Sequence, residues 1–200
     1  MNINIQSEIN HLGLVITHKP GIEHQHVKPS NLIEKKYVKS KIVNNPDYLL
    51  FDDLIDVEKA QDEHISLYKI LHHFTNGNCL EIIDLLKSVI ENEKIKKSII
   101  DDCCFLENKL YNKKIDHHIL YKLSSDSLIN VLLSGYNGEH KIFKYPIPNL
   151  IFTRDIAVCI GSTILITWST KNVRRRENII IKHILNNHSI FENLNIYDFN

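Results

Sequence analysis

Pro148-Asn149-Leu150-Ile151-Phe152-Thr153-Arg154-Asp155, then Ile156 to Ile166, then Arg174-Arg175-Arg176-Glu177, is the stretch whose reading decides the fold. The run from Ile156 to Ile166 is rich in β-branched and apolar side chains, and Gly161-Ser162 breaks it near the middle. That pattern predicts two short strands joined by a tight turn. Pro148 to Asp155 reads as a strand whose end carries Arg154 and Asp155, and Arg174 to Glu177 opens a helical pattern expected to run from about Val173 to Asn186.

A carboxylate at such a strand end can pair bidentately with a guanidinium, because its two oxygens match the fork of N–H donors. Phe152 can stack on the same planar cation, and Arg174 can bind a carboxylate. Together these groups match a small zwitterion with a cationic tail. The plainer alternative makes Arg154 and Asp155 ordinary strand-end charges and Arg174 to Arg176 a solvated helix start, with one Arg in a salt bridge to Glu177.

Pro148 to His188 resembles the arginine deiminase family, which carries a Pro-Asn-x-x-Phe-Thr-Arg-Asp strand, a hairpin and an Arg-rich helix start ending in Glu. Glu8 to Pro20 is similar to the family's first strand and turn. Val27-Lys28-Pro29-Ser30-Asn31, Leu49-Leu50-Phe51-Asp52-Asp53 and Ala60-Gln61 with His64 follow in the family's order.

The resemblance implies roles for particular residues. Asp155 would hold the substrate guanidinium. Asn149 and Phe152 would contact the amino-acid end and the aliphatic stem, Arg174 would pair with the α-carboxylate, and Leu50 would offer its backbone carbonyl to the α-ammonium. The implied reaction converts L-arginine and water to L-citrulline and ammonia. A Cys thiolate attacks the guanidinium carbon, ammonia leaves, and water resolves the covalent thiouronium, with His as general acid and base. In the family that Cys and His lie in a second half of a chain about twice this length. Cys79, Cys103, Cys104 and Cys159 do not fall at the nucleophile position. The implied fold is α/β, a partial αβ propeller of pentein-like ββαβ units with an inserted all-helical subdomain. Residues 1–60 and 146–200 would form the propeller part and 61–145 the insert. No cofactor is implied. Expected partners are arginine as a small-molecule substrate, and a homo-oligomer or a complementing C-terminal half.

Composition fits a globular chain, with 43% hydrophobic and 24% charged residues and a formal net charge of +0. This balance argues against nucleic-acid and membrane-surface partners. No cationic n-region with an apolar h-region follows Met1, and no apolar run approaches the ~20 residues of a membrane helix, so a cytoplasmic location is expected. Four irregularly spaced Cys read as reduced thiols.

Working outward, Leu12 to Thr17 reads as a strand ended by Lys19-Pro20-Gly21, and Gly21 to Asn45 as a long polar surface loop. Asp56 is a candidate N-cap for a helix through Phe74, stopped by Asn76-Gly77-Asn78. From Cys79 to Ser134 apolar residues recur at helical spacing, with Asp116 and Ser124-Ser125 as candidate caps. Gly135 to Pro148 returns the chain to the sheet, and Asn193 to Asn200 reads as a tail. Twelve His include His24 and His26 on the loop, His72-His73 and His117-His118. Adjacent helical His point to different faces, and no Cys-x-x-Cys or His-Glu-x-x-His accompanies them, so no metal site is expected and these side chains read as solvated. Asp52-Asp53 reads as a turn.

Two function classes follow. One is an enzyme acting on arginine or another guanidino compound, such as agmatine or a methylated arginine, with Arg174 favouring an α-carboxylate. The other is a non-catalytic relative that keeps the fold fragment or an arginine-binding module.

Overall fold

Turn and cap residues set most element boundaries. The structure, a computed structural model, describes residues 4–7, 9–49 and 54–198. Strand β1 (Val15–Thr17) leads into the turn His18-Lys19-Pro20-Gly21 and the one-turn helix α1 (Ile22–Gln25). The polar stretch after it is not the continuous loop its composition suggests. It contains an antiparallel hairpin of β2 (Lys35–Val38) and β3 (Lys41–Asn44), with Val38 paired to Lys41. Lys39 and Ser40 close it at φ 48° and 63°, the left-handed pair that a two-residue hairpin loop requires. Every residue of both strands is exposed, so no alternation of buried and solvated side chains marks them in the sequence.

Helix α2 (Val57–Phe74) starts where Asp56 Oδ1 accepts from the Lys59 N–H at 3.2 Å. It ends at Thr75, where Asn76 and Gly77 turn the chain at φ 51° and 90°. Strand β4 (Cys79–Glu81) then pairs in parallel with β1, Val15 facing Cys79 and Thr17 facing Glu81. Helices α3 (Ile82–Ile90), α4 (Glu93–Tyr111), α5 (His117–Tyr121) and α6 (Ser125–Ser134) follow. Asn92, Asp116 and Ser124 cap the last three through their side chains, each satisfying backbone N–H groups the first turn leaves open. Gly135 ends α6 at φ 83°, and a Cβ there would stand 3.1 Å from the Phe143 carbonyl oxygen, so the position needs glycine twice over.

After a short hairpin of β5 (Tyr136–Asn137) and β6 (His140–Lys141), the chain reaches the opening motif. Pro148–Ile151 is a 3₁₀ turn and residues 153–155 a further turn, so this segment is not a strand as the sequence reading had it. Pro148 stands in the first turn, where its missing N–H costs nothing. The expected hairpin follows as β7 (Ala157–Ile160) and β8 (Thr163–Ile166), with Gly161 at φ 57° opening its two-residue loop. Helix α7 (Arg175–Asn187) lies within two residues of its expected bounds, and a 3₁₀ turn over Asn172–Arg174 leads into it. The Asn-rich segment read as a tail instead forms β9 (Asn195–Asp198), parallel to β8, with Ile164 facing Ile196. The order β7, β8, α7, β9 is a ββαβ unit, and the fold is mixed α/β with two- and three-stranded sheets among the described residues.

One apolar cluster joins the helices to this unit. Leu86, Ile90, Ile99, Ile100, Leu120, Leu128 and Leu132 pack in a single core with Leu150, Ile164, Ile166, Ile180 and Ile184. Burying a side chain of this kind stabilises by roughly 1.5–3 kcal/mol, so α7 is the element that ties the helical layer to the sheet. Among the described residues, no helix is long and apolar enough to cross a membrane.

The turn after β1 carries buried charge. Glu23 is fully buried, and its Oε1 lies 3.0 Å from His18 Nε2 and 2.8 Å from His24 Nδ1 and accepts from the Gly21 N–H at 2.7 Å. His18 Nδ1 stands 3.4 Å from Glu81 Oε1 on β4. Burial opposes a charge on His18, but Glu23 and Glu81 outweigh it and raise its pKa to about 9. Burial likewise opposes ionisation of Glu23, and the two histidines overcome it, taking the carboxyl down to about 2. The expectation of solvated His24 and His26 is therefore corrected: His24 is buried beside Glu23, and His26 stacks on Tyr136 with ring centroids 4.3 Å apart.

Candidate functional site

The 3₁₀ turn of Pro148–Ile151 buries Asn149, and hydrogen bonds from the Phe152 N–H to the Asn149 carbonyl and from the Asp155 N–H to the Phe152 carbonyl fold the next residues over it. Thr153 Oγ1 donates to the Ile16 carbonyl on β1 at 2.9 Å, and Thr167 Oγ1 donates to the Asp155 carbonyl at 2.7 Å. The motif is thus pinned on one side to the first strand and on the other to the end of the hairpin.

Arg174 reaches this turn from the start of α7. Its Nη1 donates to Asp155 Oδ2 at 2.8 Å, its Nη2 to the Asn149 carbonyl at 3.3 Å, and its Nε and Nη2 to Glu177 Oε2 at 3.0 and 2.9 Å. The guanidinium is therefore shared between two carboxylates. Glu177 is fully buried on the next helical turn, whereas the Asp155 side chain is 52% exposed. Burial by itself would lower the Arg174 pKa, but Glu177 and Asp155 raise it. Glu177 is pushed the other way: burial lifts its carboxyl to about 7 against the opposing pull of Arg174 and Arg176. Two buried acceptors in this cluster, Asn149 Oδ1 and Glu177 Oε1, have no hydrogen-bond partner among the described residues. Such atoms are uncommon in a satisfied interior and mark a polar environment that is incomplete.

Of the five residues singled out by sequence, three are brought together: Asn149 through its carbonyl, Asp155 and Arg174. Phe152 lies in the same turn with its ring about half exposed. Leu50 lies outside the described residues. Its neighbour Leu49 packs with Val27 and Val173, and Val173 directly precedes Arg174.

The three arginines of the run have separate surroundings. Arg174 is buried, which corrects the alternative of a solvated helix start. Arg175 Nε donates to the Ser169 carbonyl, with its guanidinium 5.3 Å from the Trp168 ring centroid. Arg176 is buried over Phe143, donating to the Leu132 and Tyr145 carbonyls at 2.8 and 2.6 Å. Glu177 as the clamp on Arg174 was legible as an Arg-x-x-Glu pair at helical spacing. The tether through Thr153 carried no signal, since its partner lies 137 residues away.

Burial raises all four thiols: Cys104 to about 12, with Cys79, Cys103 and Cys159 also shifted upward. None is a ready thiolate, because a nucleophilic cysteine needs an electropositive setting that lowers its pKa. Among the described residues, no group of three or more His, Cys, Asp and Glu is placed to hold a metal ion.

Comparison with known proteins bears on this cluster. The profile of the family described as arginine deiminase matches residues 47–142 and 134–200. Arginine deiminases of Staphylococcus aureus, from strains JH9 and Newman, are each 29% identical over 212 aligned positions, covering 97% of this chain and 48% of the relative. The chain spans about half the length of the curated relatives it matches. The matched residues include the 3₁₀ turn, the hairpin and the helix start that join Asn149, Asp155 and Arg174, and the chain belongs to the arginine deiminase family.

Proposed function

We propose that this chain carries the substrate-binding half-site of an arginine deiminase-type hydrolase, which converts L-arginine and water to L-citrulline and ammonia through a Cys-thiouronium intermediate. The observation that carries this reading is the convergence of Asp155, Asn149 and Arg174 within a region that the family profile matches. In this reading Asp155 takes the guanidinium, Arg174 the α-carboxylate, and Phe152 the aliphatic stem. Asn149 meets the amino-acid end, for which its orphaned Oδ1 is a suitable acceptor. The Leu50 carbonyl receives the α-ammonium.

The attacking thiolate and the general acid–base histidine come from outside these 200 residues, either from further residues of a longer protein or from a second polypeptide. The upward shift of all four thiols supports this division. The ββαβ unit of β7, β8, α7 and β9 is one blade of an αβ propeller. Residues 1–60 and 146–200 belong to that propeller, and 61–145 are its helical insert.

The test is to purify the 200-residue chain and measure both arginine binding and citrulline formation. Binding without turnover is expected. Arginine-dependent citrulline formation that Asp155→Ala abolishes would overturn the half-site reading. A chain that neither binds nor converts arginine would favour the non-catalytic alternative.

A further inference from the structure

Asp155 and Arg174, the two charges proposed to hold opposite ends of one ligand, touch each other. Arg174 Nη1 lies 2.8 Å from Asp155 Oδ2. The guanidinium and carboxylate carbons of an extended arginine stand roughly 7 Å apart along its chain of bonds. No such ligand can lie between groups in direct contact, so binding must separate them. We propose that the Asp155–Arg174 pair is a latch that makes the site specific for ligands bearing a guanidinium and a carboxylate together.

The latch rests on the proposed role of these two residues as ligand-binding charges, and it adds how they select. Opening the pair leaves two charges in need of partners. An arginine supplies both, its guanidinium replacing Arg174 at Asp155 and its carboxylate replacing Asp155 at Arg174 Nη1. Agmatine, which carries the guanidinium but no carboxylate, satisfies Asp155 and strands Nη1. A neutral-tailed amino acid such as L-norleucine satisfies Arg174 and strands Asp155. Each single-ended ligand forfeits a charge-assisted hydrogen bond that the closed pair already has.

Glu177 determines which partner yields. It holds Arg174 by Nε and Nη2, the edge away from Asp155, and is itself fully buried. The Asn149 carbonyl adds a third contact on Nη2. Asp155, by contrast, sits in the turn of residues 153–155 with half of its side chain in solvent. Arg174 therefore keeps its position when the latch opens, and the Asp155 side chain swings away while its backbone stays tethered to Phe152 and Thr167. Glu177 acts as a positioning residue, since it touches the proposed ligand-binding cation and not the ligand.

The experiment titrates the 200-residue chain calorimetrically with L-arginine, agmatine and L-norleucine. Asp155→Ala removes one side of the latch at a half-exposed position, where folding should survive. It is expected to lose arginine affinity while binding norleucine about tenfold tighter than the wild type, because Nη1 no longer has an internal competitor. Arg174→Gln combined with Glu177→Gln removes the other side without orphaning a buried carboxylate, and should tighten agmatine by a similar factor. If the double variant does not fold, the norleucine comparison in Asp155→Ala decides alone. Arginine binding that Asp155→Ala weakens, with no gain for norleucine, overturns the latch and leaves the half-site reading intact. Wild-type chain that binds no arginine, or binds it independently of Asp155, overturns both.

Discussion

Two clusters of buried charge lie at opposite ends of this chain, and they are built to different ends. At the turn after β1, Glu23 is enclosed by His18 and His24 and shifted to about 2, while His18 is shifted to about 9, so both ionisations reinforce the pair at neutral pH. At the start of α7, Glu177 is enclosed just as fully, yet burial shifts it up to about 7. Its shared cation, Arg174, has a second carboxylate that is half in solvent. Glu23 Oε2 likewise has no hydrogen-bond partner among the described residues, but the opposite charges of the first cluster all face one another inside the fold, and it behaves as a staple. The second opens to solvent at Asp155, as the proposed role in receiving a charged ligand requires.

The staple should fail hardest when cut. Glu23→Ala leaves His18 and His24 buried beside each other without their shared acceptor, and breaking a buried pair from one side costs about 3–5 kcal/mol. Urea denaturation of the variant would read this directly. A loss below about 1 kcal/mol would erase the distinction between the two clusters.

Alkaline pH attacks the same cluster without mutation. The folded pKa of His18 lies above its unfolded value of 6.5, so its contribution is fully present below pH 6.5 and is lost as pH rises toward 9. The shift corresponds to about 3 kcal/mol across that window. Unfolding curves at pH 6, 7.5 and 9 should fall in that order, and His18→Gln should flatten the series. A stability that stays level from pH 6 to 9 in the wild type would mean that His18 is neutral in the fold.

The two carboxylates oppose each other in acid. Glu177 has a folded pKa near 7 against 4.5 unfolded, so the folded state binds the extra proton between those values and stability rises as pH falls through that window. Glu23, depressed to about 2, contributes stability that is present above pH 4.5 and lost as pH falls further. A maximum near pH 4.5 from these two groups is the expected outcome. Glu177→Gln should remove the rising limb, worth at most about 3 kcal/mol, and leave the falling limb in place. A falling limb that disappeared with Glu177→Gln would show the clusters to be coupled.

The sequence disclosed the second cluster better than the first. Asp155, Arg174 and Glu177 lie close along the chain, and the last two share a helical spacing that announces contact. Gly161 marked the hairpin, and Asp56, Asp116 and Ser124 marked helix starts, because turn and cap chemistry is local. What stayed hidden depends on distant partners or on rules the composition masks. His18 meets Glu81 63 positions later, and β9 forms only by lying beside β8, with Ile196 as its sole core-facing apolar side chain in a polar stretch. The exposed hairpin of β2 and β3 turns on Lys39 and Ser40, where left-handed backbone is normally signalled by Gly or Asn. The 3₁₀ turn at Pro148–Ile151 reads as a strand through the resemblance to the family's motif, and the short apolar run of Leu150, Ile151 and Phe152 does not by itself fix the backbone period.

The smallest effect on stability is expected at Asp155. Its ion pair with Arg174 has one half-exposed partner, and solvent screening limits such a pair to about 1 kcal/mol or less. Glu177 still pairs with Arg174 after Asp155→Ala, and loss of the Asp155 charge makes Glu177 easier to ionise, so Arg174 keeps a buried partner, in contrast to Glu23→Ala. Arginine binding should nevertheless be lost, because the guanidinium would have no carboxylate to meet. A residue whose removal costs the fold little and the ligand nearly everything belongs to a site, and a residue with the reverse profile belongs to a staple. Measuring stability and arginine affinity for both alanine variants places each cluster on that scale. Asp155→Ala as destabilising as Glu23→Ala, with arginine affinity unchanged, would make the Arg174 cluster a second staple.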